Sequence, residues 1–273
     1  MISGSTRIAA VVGWPVEHSR SPQMLNAAFA ISRIDAVMIP IAAPPERFAQ
    51  VVAGLRAINA LGASVTVPHK LAAVALCDQV TPAARDIGAV NCLHVDDGRL
   101  VGHNTDAPGF VDGLVAAGFA KPDARIVLLG AGGAARAVAF GLRDRGTTTV
   151  LARRPAAVTW TRAVEWTEDA LRTSFATADL VVDCTPAGLS TDDERTLVDE
   201  LPIDELRPHA WVSTLIYHRS TLLLERAKER GHSTVDGRAM LVHQGARAFA
   251  IWTKSPAPLD AMTRALDDAL RGT

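Results

Sequence analysis

The sequence predicts an α/β fold, and two observations carry the prediction. Short β-branched and aliphatic runs alternate along most of the chain with longer Ala- and Leu-rich segments, the pattern of strands joined by crossover helices. One strongly apolar run, Arg125-Ile126-Val127-Leu128-Leu129, passes directly into a glycine-rich turn and then an alanine-rich segment. No internal repeat or low-complexity stretch interrupts the alternation.

Each element has its own local signal. Residues 8–12 read as a first strand, closed by Gly13-Trp14-Pro15. A helix follows from Ser21-Pro22, with Ser21 as N-cap and Pro22 at the first helical position. Residues 37–41 form a second strand and 46–59 a second helix. Residues 64–67 form a third strand, ended by Pro68, which opens a helix and places Lys70 in its first turn. Residues 90–95 and 100–102, joined at Asp97-Gly98, read as a hairpin. The character changes after Asp106. A helix begins at Pro108-Gly109, residues 125–129 form the apolar strand, and residues 134–145 form a helix stopped by Gly146 as C-cap. Further strands fall at 148–150, 180–183, 211–216 and 233–235, and the last helices at 240–253 and 259–270. An N-terminal α/β domain, a middle α/β domain and a tail returning to the first are the most economical division of 273 residues.

Composition excludes several classes. Apolar residues make up 48% and charged residues 21%, which suits a folded globular chain and excludes a disordered one. Lys+Arg 28 against Asp+Glu 29 leaves no global field directed at nucleic acid or an acidic membrane. Cys77, Cys92 and Cys184 form no metal-ligand spacing, the histidines are scattered, and no metal is expected. The N-terminal apolar run is broken by Gly13-Trp14-Pro15, so neither a signal peptide nor a membrane span is expected, and a reducing cytoplasm fits best.

The glycine turn, Gly130-Ala131-Gly132-Gly133-Ala134-Ala135, fits G-x-G-x-x-A between a strand and a helix, the context of a dinucleotide site. Gly130 permits the tight turn, Gly132 lets backbone N–H groups approach a pyrophosphate, and the helix N-terminus favours the anion. The plainer alternative is a turn that only connects strand and helix. The next strand ends in Ala152-Arg153-Arg154 with no carboxylate for a ribose hydroxyl. Two guanidiniums stand where a 2′-phosphate would bind, which favours NADP over NAD; a solvated basic loop is the alternative.

Polar residues gather in the first domain. Ser19 and Ser21 flank the first strand–helix connection, although a loop serine and an N-cap describe them equally well. A lysine in a first helical turn opposes the helix dipole, so Lys70 has an anionic partner or a catalytic role, or is a plain surface residue. Asn104-Thr105-Asp106 also reads as an N-cap box with Asp or Thr capping.

Taken together these segments resemble the shikimate dehydrogenase family. The resemblance rests on Gly13-x-Pro15-x-x-His18-Ser19-x-Ser21-Pro22, Val65-Thr66-x-Pro68-x-Lys70, Gly88-Ala89-Val90-Asn91, Gly102-x-Asn104-Thr105-Asp106-x-x-Gly109 and the glycine turn. Asp236-Gly237-x-x-Met240-Leu241-x-x-Gln244 resembles its closing motif, and the motifs occur in the family's order over nearly the whole chain. The resemblance implies reversible NADPH-dependent reduction of 3-dehydroshikimate to shikimate, in aromatic amino acid biosynthesis. It implies a three-layer α/β substrate domain over residues 1–106, joined by C-terminal helices at 238–273. A Rossmann-type NADP domain over 107–237 and an active site in the cleft between them complete the expectation.

By the same resemblance Lys70 and Asp106 are the catalytic pair, and Ser19, Ser21, Ser64, Thr66, Asn91, Tyr217 and Gln244 bind substrate. Gly130, Ala131, Gly132, Gly133, Ala134, Arg153, Arg154, Gly237 and Met240 bind cofactor. A small-molecule substrate, no nucleic acid, no membrane, and a monomer or homodimer are expected. Three departures bear on specificity. Ser64 stands where the family carries Asn, Leu25 where many members carry His, and the segment around Tyr217 lacks the usual preceding Asp and following Pro. A quinate or other ring-acid dehydrogenase, and an inactive NADP-binding sensor, are the competing readings.

Overall fold

The computed structural model describes residues 2–187 and 191–272. In chain order the strands are β1 (Arg7–Gly13), β2 (Ala36–Ala42), β3 (Gly62–Val65), β4 (Gln79–Val80), β5 (Cys92–Asp96), β6 (Arg99–His103), β7 (Ala124–Leu129), β8 (Gly146–Ala152), β9 (Ala163–Glu165), β10 (Leu180–Asp183), β11 (Trp211–Thr214) and β12 (Ser233–Val235). The helices are α1 (Ser21–Ile31), α2 (Phe48–Ala57), α3 (Ala72–Leu76), α4 (Pro82–Ile87), α5 (Asp106–Ala116), α6 (Gly133–Leu142), α7 (Glu168–Thr177), α8 (Thr191–Glu200), α9 (Leu222–Glu229), α10 (Gly237–Thr253) and α11 (Leu259–Arg271). They make two compact units, Met1–Gly109 with Leu241–Thr273, and Phe110–Met240, and the chain passes between units within α5 and α10.

The first unit is built on a mixed sheet in the order β2-β1-β3-β5-β6-β4. β1 runs parallel to β2 and β3, while β5 is antiparallel to both β3 and β6. Alternation along β1 makes the layers. Ala9 and Val11 pack on one face with Met24, Phe29, Phe249, Trp252 and Met262 from α1, α10 and α11; Ala10 and Val12 pack on the other with Phe48, Val52 and Leu55 from α2. The Phe29 and Phe249 rings lie 5.5 Å apart, and truncating either would cost about 3–5 kcal/mol.

The second unit has a parallel sheet in the order β12-β11-β10-β7-β8-β9. Val127, Leu129, Val181 and Val212 face Leu171, Phe175, Leu197 and Leu223 of α7, α8 and α9. Ile126, Leu128 and Val182 face Phe110, Leu114, Val138 and Leu142 of α5 and α6. Both sheets are thus covered on both faces, which explains the nearly unbroken apolar strands of the second unit.

Several local expectations are corrected. Arg20 is the N-cap of α1, and Ser21 is its first helical residue without a capping side-chain bond. Residues 68–71 form turns rather than a helix start. His69 N–H donates to the Thr66 carbonyl and the Lys70 carbonyl accepts from Val90 N–H, so the sheet holds this segment and α3 begins only at Ala72. The second helix starts later than residue 46, because Pro45–Arg47 forms a 3₁₀ turn before α2. Helix α5 begins at Asp106, and Asn104 caps it by accepting from Ala107 N–H at 3.1 Å. Gly146 opens β8 at φ +158° instead of ending α6, whose C-cap is Arg143.

Candidate active site

The first unit's topology collects its polar residues at one sheet edge. β1, β3 and β6 share a direction, so the segments after Gly13, Val65 and His103 leave at the same edge, where antiparallel β5 begins just after Asn91. Those segments carry Ser19 and Ser21, Thr66 and Lys70, and Asp106.

Lys70 and Asp106 form an ion pair there. Lys70 Nζ donates to Asp106 Oδ2 at 2.7 Å, with side chains 28% and 8% exposed. The second carboxylate oxygen, Oδ1, accepts from Asn91 Nδ2 at 2.9 Å. Asn91 is itself fixed: its amide donates to Thr105 Oγ1 at 2.9 Å and its carbonyl accepts from Thr105 N–H at 2.6 Å. Its amide also lies 3.5 Å from Gln244 Oε1, while Gln244 Nε2 donates to the Leu241 carbonyl at 2.9 Å. Asn104 adds a bond from Nδ2 to the Ala89 carbonyl at 3.0 Å. The carboxylate is therefore oriented from two sides, while the ammonium keeps donor capacity beyond its bond to Asp106.

α5 can approach α10 closely because of a small residue. A Cβ on Gly109 would stand 2.6–2.7 Å from backbone N and Cα of Gln244, so only glycine lets Gln244 come this near Asn91. Among the described residues the hydroxyls of Ser21, Ser64 and Thr66 make no hydrogen bond within the protein. Ser19 Oγ only accepts from Ser21 N–H at 3.4 Å. Ser21 and Ser64 are nonetheless buried, so these hydroxyls are suited to a polar ligand.

In the second unit, neighbouring strands β7 and β10 send their chains to opposite sides of the sheet, the switch point at which α/β sheets bind ligands. Gly130 follows β7 at φ +90°, and a Cβ there would come within 3.2 Å of Thr185 Cγ2 beyond β10. Burial pushes the Asp183 carboxyl at the end of β10 above its usual range, although Thr185 N–H donates to it at 2.9 Å. Gly132 is the N-cap of α6 without a side-chain bond, and a Cβ on Gly132 or Gly133 would meet nothing within 4 Å. The first N–H groups of α6 thus have open space above them, which fits a pyrophosphate. Ala131, partly buried, accepts from Trp160 Nε1 at 3.2 Å, and Ala134 lies in the first turn. Arg153 and Arg154 follow β8, both exposed.

The remaining expected residues also lie in this unit. Gly237 opens α10 and donates its N–H to the Ile216 carbonyl at 2.8 Å. Met240 packs partly buried against the core beside α5. Tyr217 is partly buried, 5.9 Å from His218 in an edge-to-face pair. Thr105, expected only as a capping residue, and Asn104, expected only within its motif, both support the site through Asn91 and the start of α5. Glu200 and Trp166 meet Arg153 from distant segments and carry no motif that would mark them in the sequence.

A parallel sheet in this order, its glycine turn at the switch point and arginines at the next strand end define an α/β protein with a Rossmann-type dinucleotide-binding unit. Residues 11–93 match the shikimate dehydrogenase substrate-binding domain, and residues 237–266 the shikimate 5′-dehydrogenase C-terminal domain. A shikimate dehydrogenase (NADP(+)) of Desulforamulus reducens is 40% identical over 97% of this chain and 96% of its own. The crystal structure of shikimate dehydrogenase from Aquifex aeolicus superposes with a TM-score of 0.89 at 31% identity, covering 97% of this chain and 99% of that one. The shikimate 5-dehydrogenase of Thermus thermophilus, crystallised with NADP(H) and shikimate, gives 0.86 at 34% identity over 97% and 100%. The chain belongs to the shikimate dehydrogenase family. No helix among its described residues is long and apolar enough to cross a membrane.

Proposed function

We propose that this protein is an NADP-dependent shikimate dehydrogenase that interconverts shikimate and 3-dehydroshikimate, with Lys70 and Asp106 as the catalytic pair. The observation that carries the reading is the 2.7 Å contact between Lys70 Nζ and Asp106 Oδ2 at the polar sheet edge of a chain of this family. NADP(H), when bound, supplies or accepts the hydride at the ring carbon. Lys70 handles the proton at the oxygen on that carbon. In the reductive direction negative charge grows on the carbonyl oxygen, and an ammonium beside it stabilises and protonates that oxygen. In the oxidative direction Lys70, as the neutral amine, takes the hydroxyl proton and becomes the ammonium. Asp106, oriented by Asn91, holds Lys70 and accepts a hydrogen bond from a ring hydroxyl.

The hydroxyls of Ser19 and Ser21 bind the substrate carboxylate, and Ser64, Thr66, Asn91, Tyr217 and Gln244 bind the ring hydroxyls or the carboxylate. The glycine turn from Gly130 to Ala134 receives the pyrophosphate, Arg153 and Arg154 the 2′-phosphate, and Gly237 and Met240 the nicotinamide end. The protein acts on a small molecule in the cytoplasm as a monomer or homodimer, without nucleic acid or membrane. A second reading draws on Ser64, whose short hydroxyl replaces an amide and reaches less far. That change favours a retuned pocket for quinate or a related ring acid. Initial rates at 340 nm with shikimate or quinate, each with NADP⁺ or NAD⁺, separate the two. Fast turnover of shikimate with NADP⁺ supports the first reading, and turnover confined to quinate refutes it.

A further inference from the structure

A surface cavity of about 690 Å³ in the second unit lies beside the end of β8, lined by Arg153, Trp166, Leu171, Arg172, Glu200 and Pro202 among others. Its charged walls are mostly self-satisfied. Arg172 is bound by Glu168 at 3.2 Å and Glu205 at 2.8 Å, and Asp199 by Arg226 at 2.8 Å. Glu200 is different. Its Oε2 accepts from Trp166 Nε1 at 2.7 Å, and its Oε1 lies 3.5 Å from Arg153 Nη2. The same guanidinium lies 5.7 Å from the Trp166 ring centre. The indole fixes the carboxylate, and the loose contact to Arg153 leaves that guanidinium open to a better anion.

We infer that Glu200, anchored by Trp166, is a specificity-determining residue that moderates recognition of the 2′-phosphate by Arg153. The inference rests on the NADP reading of Arg153. A 2′-phosphate that pairs with Arg153 has to displace or share its contact with the carboxylate that Trp166 holds beside it, and it meets a like charge as it does so. An adenosine ribose without that phosphate meets neither effect. Glu200 therefore weakens NADP(H) selectively and narrows the gap to NAD(H).

The test is calorimetric titration of the full-length protein with NADP⁺ and with NAD⁺, in the wild type, Glu200→Gln and Arg153→Ala. Glutamine keeps a carbonyl oxygen for Trp166 Nε1 and removes only the charge. In Glu200→Gln the Kd for NADP⁺ falls about 3- to 10-fold while that for NAD⁺ holds, and the gain shrinks as salt is raised to 0.5 M. A Kd ratio equal to the wild type's, or equal changes for both nucleotides, overturns the inference. Arg153→Ala separates the two levels of argument. If the wild type binds both nucleotides equally and Arg153→Ala changes neither, the NADP reading fails and takes this inference with it. If wild type prefers NADP⁺ and Arg153→Ala removes the preference, an unresponsive Glu200→Gln refutes the inference alone.

Discussion

Replacing Lys70 by Ala removes the ammonium that donates to Asp106 Oδ2 at 2.7 Å, and the structure sets what should follow. Loss of a positioned proton-transfer group lowers turnover about 10²–10⁴-fold. Shikimate affinity changes little, because the hydroxyls assigned to binding stay in place. A hydrogen bond to a charged group contributes about 1.5–3 kcal/mol. The loss here is nearer 1–2 kcal/mol, since Asp106 keeps its bond from Asn91 and the vacated, partly exposed position admits water. Lys70→Arg divides the effects: guanidinium restores a cation for Asp106 and with it most of the stability, but it cannot give up a proton and does not restore turnover. The assay measures kcat and KM at saturating NADP⁺, with urea unfolding of the same preparations. Turnover of Lys70→Ala within tenfold of wild type, or full recovery in Lys70→Arg, would refute proton transfer by this residue.

Further outcomes follow from packing and charge. Gly109→Ala drives a Cβ into the backbone of Gln244, costing about 1–3 kcal/mol and raising KM for shikimate as Gln244 moves from Asn91; unaltered kinetics and melting would contradict the close approach. Asp179 accepts from Arg125 N–H at 2.9 Å, Lys121 at 2.8 Å and Arg207 at 3.3 Å. Burial acts to raise its pKa, but these donors outweigh it and hold the carboxyl below its ordinary range. A depressed folded pKa stabilises above the unfolded value of about 3.9 and is lost as pH falls through the folded one. Asp179→Asn therefore destabilises by about 1–2 kcal/mol at pH 7, and its deficit against wild type closes below about pH 4 in denaturant titrations. Arg153→Ala weakens NADP⁺ more than NAD⁺ in steady-state kinetics, and an equal loss for both would remove the phosphate contact.

The fold was legible where periodicity is strong. The apolar strand β7, the 180–183 strand and the hairpin at Asp97-Gly98 lie where their patterns put them, because burial on both faces or a glycine turn leaves a clear mark. The short strands β4 and β9 left none, being two and three residues long and held by pairing with a neighbour. Local capping rules failed at Pro68 and Gly146 because sheet hydrogen bonds and strand geometry override them. Lys70 and Asp106 could be named from their motifs, but their contact could not, because it joins residues 36 positions apart. Glu200 lies 47 residues from Arg153 and came into view only through the fold.

Shikimate carrying deuterium on the ring carbon whose hydroxyl is oxidised, incubated with the protein and NADP⁺, tests the central claim most directly. Mass analysis should find the label on the reduced nicotinamide and 3-dehydroshikimate formed in equal amount. Unlabelled NADPH, or no consumption of shikimate while NADP⁺ binds, would contradict the account.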